Sequence, residues 1–433
     1  MMKSNLYGSN RIRSKYKLER GWAHMNSIPG NKEHPLFLKD LNHKNISAGM
    51  VAAIFVITGP TALILEASSN GNFSTVQTIL WIFTVYVFGG LFGIILPMYS
   101  RIPIVGGHTL TGVAFLTTMT SQFTYHELIG SYIISGILMV LIGYLGLFSK
   151  LIKLVPKEII SAMLAGMVTN YMVNFIFSIN NLLIVGFISL ITYFIFSRWK
   201  LKVPPVIAAI IIGVIVLSLF YPLKTIQWTS GVIMPEIQLP EFNILSFLSV
   251  SIPLALLILS NDGAVAIGAL KQNNYRTPIK QIISLSGLFS IISSFFGGQS
   301  ANIAGMATVI CSDEEAGPKE KRYMGAVVAG VLLLVFGLFS WKLIPLIQSL
   351  PKDFISIILG FSLLSVFGNS LHQAFSKHTM KISTVFAFII ALSSITFLNI
   401  SAPVWSLLVG SFIARYIESN TIEKNREKSN KTA

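Results

Sequence analysis

Charged side chains are scarce in this 433-residue chain: Asp, Glu, Lys and Arg make up 11% of it, against about 25% in an ordinary soluble domain. A soluble chain of this length would divide into two or three domains, each needing a charged exterior. Forty-nine charged residues, many of them crowded into the termini, do not cover such surfaces. Acids are rarer still, 17 against 32 basic residues. Cysteine is reduced to Cys311, which excludes an intramolecular disulfide and a cysteine zinc cluster. No glycine loop ending in Lys-Ser/Thr occurs, which argues against a primary pump driven by ATP. The first 45 residues carry nine Lys/Arg but no apolar core of about 7 to 15 residues, so no cleavable signal peptide is expected. What is abundant is apolar: 53% of the chain, in long runs separated by short polar patches. A soluble enzyme, a disordered tail protein and a coiled coil are excluded. The expectation is an all-α polytopic membrane protein. Its net charge of +15 sits in loops and tails, where it serves orientation rather than nucleic-acid binding.

A membrane-spanning helix needs about 20 mostly apolar residues. Fourteen candidate spans are expected, near 47–66, 76–98, 102–120, 127–148, 155–177, 181–197 and 203–220, then 246–270, 279–296, 297–312, 321–346, 352–373, 382–399 and 402–418. The organisation is then a basic N-terminal arm (1–45), a first seven-span repeat (46–220), an extracellular connecting loop (221–245), a second repeat (246–418) and a C-terminal tail (419–433). With the N-terminus cytoplasmic, alternation leaves only Lys224, Lys342 and Lys352 outside, and 29 of 32 Lys/Arg inside. That is the positive-inside pattern of a plasma (inner) membrane protein with both termini cytoplasmic.

Self-comparison supports the seven-span unit. Gly146-Leu147-Phe148-Ser149 recurs as Gly337-Leu338-Phe339-Ser340. Pro156-Lys157-Glu158-Ile159-Ile160-Ser161 recurs as Pro351-Lys352-Asp353-Phe354-Ile355-Ser356. Gly106-Gly107-His108-Thr109 recurs as Gly297-Gly298-Gln299-Ser300. Seven is odd, so the second copy enters the membrane inverted, an arrangement of transporters with the substrate site near the midplane. Paired glycines inside the short third and tenth spans weaken a continuous helix. The expectation is an extended stretch followed by a half-helix in each, with His108-Thr109 and Gln299-Ser300 at the helix starts. Two such starts would aim free N–H groups and positive dipole ends at one point, favouring an anion or a polar ring. Close packing through small residues is the plainer reading of a lone Gly-Gly.

Of the seventeen acids only Asp262 lies deep in a span, in Ser260-Asn261-Asp262-Gly263. An intramembrane acid is a functional candidate, with a structural cap as its alternative. Of seven histidines only His108 is within a span, either as a substrate contact or as a neutral imidazole bonded between helices. Thr58-Gly59-Pro60-Thr61 interrupts the first span at the position matching Asn261-Asp262-Gly263. The candidate substrate-binding set is Thr58, Gly107, His108, Thr109, Asn261, Gly298, Gln299, Ser300 and Asn302, with Asp262 as the proton-coupling group. No metal site and no catalytic group are expected.

Phe296-Gly297-Gly298-Gln299-Ser300-Ala301-Asn302-Ile303-Ala304, followed by Ile310-Cys311 and Lys321-Arg322-Tyr323, resembles the tenth span and following loop of the benzoate:proton symporter (BenE) family. Pro156 to Gly166 resembles that family's fifth span, and Arg101-Ile102-Pro103-Ile104 the entry to its third. The similarity covers residues 46–418. It implies the fold shared with uracil and sulfate transporters, in which a core domain of spans 1–4 and 8–11 moves against a gate domain of spans 5–7 and 12–14. The chain departs from the family at Gln299, where a histidine is usual, at His108-Thr109-Leu110-Thr111, and at Asp262, which makes the eighth span more like that of nucleobase transporters.

The reading that follows is a secondary active transporter, a proton symporter of a small organic anion such as benzoate or a related aromatic carboxylate. It has no cofactor beyond the proton gradient, with sodium coupling left open. Its surroundings are the lipid bilayer, and a homodimer is an assembly open to it. The alternative is a proton-coupled transporter of a nucleobase such as uracil or xanthine. A non-transporting scaffold or a membrane enzyme is the remaining class. Against the enzyme stands the lack of a nucleophile–base pair within the spans.

Overall fold

The computed structural model describes residues 37–148, 150, 156–199, 205–221, 235–395, 397 and 402–418. The expected N-terminal arm up to residue 36, the middle of the connecting loop and the C-terminal tail lie outside the described residues. The chain divides into two units between Asp40 and Leu41. Of the first, only the single 3-10 turn Phe37–Asp40 is described.

The described residues of the second unit are mostly helical, with one short two-stranded sheet. Its elements are α1 (His43–Asn70), α2 (Thr75–Ser100), β1 (Gly106–Gly107), α3 (Leu110–Met119), α4 (Tyr125–Leu145), α5 (Lys157–Asn181), α6 (Leu183–Trp199) and α7 (Pro205–Phe220). There follow α8 (Ile244–Gln272), α9 (Ile279–Phe295), β2 (Asn302–Ile303), α10 (Gly305–Ser312), α11 (Tyr323–Leu338), α12 (Ser340–Gln348), α13 (Lys352–Ala374), α14 (Lys381–Ser393) and α15 (Ala402–Phe412). Among the described residues seven helical segments are long and apolar enough to cross a membrane: α1, α2, α4, α5, α8, α13, and α11 with the turn before it.

Helix starts follow local chemistry. Ser74 with Gln77, and Thr124 with Glu127, form reciprocal capping boxes at α2 and α4, satisfying N–H groups a helix cannot bond internally. The helices sort by packing into two sets. In one, α11 packs on α1 and α2, α9 on α4, and α10 on α1 and α8; in the other, α5 packs on α13 and α14, α6 on α7, and α14 on α15. The sets meet where α13 touches α1 and α3 touches α5. Buried apolar side chains such as Leu63, Trp81, Phe115 and Met163 form the main core.

Two expectations change. The first span is not interrupted: α1 runs through Pro60. Proline lacks the N–H that would bond the Val56 carbonyl, and the Tyr86 hydroxyl of α2 reaches that carbonyl instead (3.2 Å), together with Ile57 O (3.1 Å). The second change is register. β1 and β2 pair antiparallel, Gly106 with Ile303 and Gly107 with Asn302, so the counterpart of Gly106-Gly107 is Asn302-Ile303 rather than Gly297-Gly298. The strands stand within one residue of the spacing of the Pro156/Pro351 repeat, and α3 and α10 start at that spacing.

Candidate functional site

The two strands meet because glycines let backbone approach backbone. A Cβ on Gly93 of α2 would lie 2.7 Å from Gly106 N, and one on Gly89 2.9 Å from Gly107 Cα, both inside van der Waals contact. The Val105 carbonyl accepts the Ala304 N–H (2.9 Å), and the Val105 N–H donates to Thr308 Oγ1 (3.1 Å). On the other side a serine column on α9 holds the second extended segment. Ser290 Oγ accepts the Ala301 N–H (3.1 Å) and Ser286 Oγ the Ile303 N–H (3.2 Å). These bonds satisfy backbone groups that an unwound stretch would leave bare.

Each strand runs into a short helix. Thr109 caps α3, its Oγ1 accepting the Gly112 N–H (3.0 Å). Gln299 and Ser300 do not cap α10, which starts five residues after Ser300. Its cap position is Ala304, with no side-chain bond. The reason lies upstream. Gly297 takes a left-handed conformation (φ +99°) that suits glycine, and the chain then runs without helix to Ala304.

What stands at the start of α10 is Asp262. α8 widens into i+5 turns at Phe247–Ser251 and Ile258–Gly263, features that recur at functional sites. The second turn touches α3, α10 and β2. Asp262 Oδ1 accepts the N–H of Gly305, the first residue of α10, at 3.4 Å, and the carboxyl lies beside the Thr109 hydroxyl. A side chain at Gly305 would push the two apart, its Cβ 2.9 Å from Asn261 O and 3.0 Å from Asp262 Cα. Asp262 is buried, and its Oδ2 has no hydrogen-bond partner among the described residues; the same holds for Asn261 Nδ2 and Asn302 Oδ1.

The other expected residues spread outward. Gly107 and Asn302 pair in the strands, and Asn302 Nδ2 donates to Ile303 O (2.9 Å). His108 is buried edge-on against Tyr86 (ring centroids 4.8 Å apart), neither ring nitrogen bonded among the described residues. Gln299 Oε1 accepts from Trp81 Nε1 at 2.7 Å, and its Nε2 has no partner among the described residues. Gly298 packs against Thr84 and Ser293, and Ser300 is fully buried. The Thr58 hydroxyl donates to Ile54 O (2.9 Å) within its own helix. The structure thus brings together Thr109, Asn261, Asp262 and the strand pair, while Gln299 turns toward α2 and Thr58 toward its own backbone. Trp81, Tyr86, Ser286 and Ser290 were not anticipated. Their only sequence signal is a polar atom on an otherwise apolar span.

Beyond α10, Arg322 donates to Ser312 O (2.8 Å) and Gly317 O (2.7 Å), a cation at a helix C-terminus. Arg101, just past α2, bonds the Tyr323 hydroxyl and lies over its ring. Among the described residues no group of three His, Cys, Asp or Glu is placed to hold a metal ion.

Comparison with known proteins gives one family. The model described as "Benzoate membrane transport protein" (BenE) matches residues 39–416. The inner membrane protein YdcO of Escherichia coli K12 is 29% identical over 382 residues, 88% of this chain and 97% of that one. The benzoate membrane transport protein of Acinetobacter baylyi is 25% identical over 364 residues, 84% and 92% of the two chains. Among solved structures, the transmembrane domain of the cyanobacterial bicarbonate transporter BicA superposes with a TM-score of 0.55 at 18% identity, covering 89% of this chain and 99% of that one. The anion transporter Slc26a9 of mouse superposes with a TM-score of 0.58 at 11% identity, covering 98% and 74%. At these identities the likeness is one of fold.

Proposed function

The chain belongs to the benzoate membrane transport protein family and is a multi-pass membrane transporter; from that premise we propose that it carries a small organic anion, such as benzoate or a related aromatic carboxylate, together with a proton across the inner membrane. The proposed architecture is fourteen spans in two inverted repeats of seven, both termini cytoplasmic. β1–α3 and β2–α10 are its broken third and tenth spans, and the two packed helix sets serve as core and gate.

One observation carries the coupling. The start of α10 already holds a carboxylate, Asp262, beside the cap of α3. Helix starts of this kind favour one negative charge. A second, on the substrate, is repelled across a short and poorly screened distance. Binding an anion therefore favours the neutral Asp262 carboxyl, and substrate and proton load together. In this reading Thr109, Asn261, Asn302 and the Gly107 backbone line the anion site. His108, Gln299 and Ser300 shape it from behind, and Thr58 borders it on α1. The unbonded Oδ2 of Asp262 supports a second reading, since it could accept the ring N–H of a nucleobase.

Reconstituted proteoliposomes decide between the two. Labelled benzoate and labelled uracil are each offered with and without an inward proton gradient. Benzoate accumulation that requires the gradient is the expected result. Uracil accumulation in its place would transfer the site to nucleobases, and gradient-independent benzoate uptake would remove proton coupling.

A further inference from the structure

A cavity of about 480 Å³ lies between the two helix sets; of the proposed substrate-site residues it reaches only Thr58. Ile57 and Thr61 of α1 and Phe336 of α11 line one side of it, Val214 of α7 and Ile358 of α13 the other. Among the described residues no charged side chain lines it. Its hydroxyls are already committed to their own backbone: Thr58 to Ile54 O, Thr61 to Ile57 O, Ser218 to Val214 O and Ser349 to Leu346 O. A guest that needs hydrogen-bond donors finds none free, so the cavity selects an apolar one. It has roughly three times the ~150 Å³ that suffices for a benzene-sized guest, so a single ring would leave most of it unfilled.

The rim indicates where the guest comes from. The next residue after each of the α7 lining positions Ile210, Val214 and Ser218 is an exposed aliphatic: Ile211, Ile215 and Leu219. Val335 and Phe339, flanking Phe336, are exposed too, as is the lining residue Leu346. Of the two exposed lining residues, Ser218 spends its hydroxyl on its own helix and Leu346 is apolar. With the aliphatic stripe beside them, the rim presents mainly apolar surface of the kind that faces lipid tails.

We propose that the cavity is a binding site for an acyl chain of a bilayer lipid, wedged between α1 and α11 on one side and α7 and α13 on the other. Because the chain touches both helix sets, their relative movement changes the space it occupies, and lipid chain length then bears on the activity of the protein. The site stands whatever substrate the protein carries.

The test uses the full chain in proteoliposomes containing a phospholipid with a photoreactive diazirine near the end of its acyl chain. After illumination, labelled peptides are mapped. Label on Val214 and Ile358 is expected, in addition to label on the exposed Leu219 stripe. Val214→Trp, which fills the cavity, should abolish the label on Ile358 and leave that on Leu219. If that variant does not reach the membrane, Ile358→Phe, with label read at Val214, replaces it. Wild-type label confined to the exposed stripe would overturn the proposal. So would loss of the cavity label on adding benzoate, which would assign the space to a soluble aromatic acid.

Discussion

Asp262 meets the start of α10 through the Gly305 N–H and is the proposed coupling group, and one substitution separates the two roles. Asp262→Asn mimics the protonated carboxyl permanently. As a coupling group, its replacement should leave substrate binding and exchange of internal for external substrate intact, while gradient-driven accumulation disappears. If the carboxylate only caps α10, the variant should instead lose about 1 kcal/mol of stability, with binding and transport falling together. In the nucleobase reading the amide presents donors where the ligand needs an acceptor, so binding itself should weaken. Thermal melting, equilibrium binding and uptake on this one variant distinguish the three. Trp81 offers a second check at this scale. Its indole holds Gln299 Oε1 at 2.7 Å, so Trp81→Phe leaves the Gln299 carbonyl unpaired in a buried setting. The loss should be about 1–3 kcal/mol, seen as a lower melting temperature, whereas Trp199→Phe, on the exposed face of α6, should melt as wild type.

At the scale of elements, the extended segments persist because α9 and α2 replace the hydrogen bonds and the space a helix would supply. Ser290 Oγ takes the Ala301 N–H. Ser290→Ala strands that N–H in the core at a loss of about 1–3 kcal/mol, and should reduce substrate binding by shifting the strand. Ser218→Ala, on the exposed face of α7 with its hydroxyl bonded to its own helix, is the matched control and should melt within about 0.5 kcal/mol of wild type. Gly93→Ala acts through volume. The added methyl would meet Gly106 N at 2.7 Å, so β1 must move, and uptake should fall while the helical content read by circular dichroism is kept.

At the scale of the whole molecule the proposed topology makes a prediction of its own. In a Cys311→Ser background, single cysteines at Asn72 and Asn180 should react with an impermeant thiol reagent from outside intact cells. Those at Glu320 and Lys377 should react only after permeabilisation. Reversal at any one site would break the alternation derived from the positive-inside pattern. Asn72, Asn180, Glu320 and Lys377 are all exposed in the structure, so accessibility reports sidedness rather than burial.

How much could be read from the sequence depended on how local the physics is. Apolar run length alone located α1, α2, α4 and α5 close to where they lie, because a helix satisfies its own backbone in lipid and needs only the right side chains. Asp262 was legible because an acid is costly at membrane depth, and Thr109 because a cap is a matter of three residues. The Gly-Gly match misled by several residues. Glycine marks freedom of the backbone but not the direction it takes, and only the pairing of Gly106 with Ile303 and the left-handed turn at Gly297 decided where the second extended segment begins. The same holds for Pro60, whose freed carbonyl is claimed by Tyr86, thirty positions beyond Val56. The serine column of α9, the widened turns of α8 and the Trp81–Gln299 bond are contacts between distant parts of the chain. Residue type permits them, but tertiary packing selects them from among many equivalent partners, so they could be known only once the helices were placed.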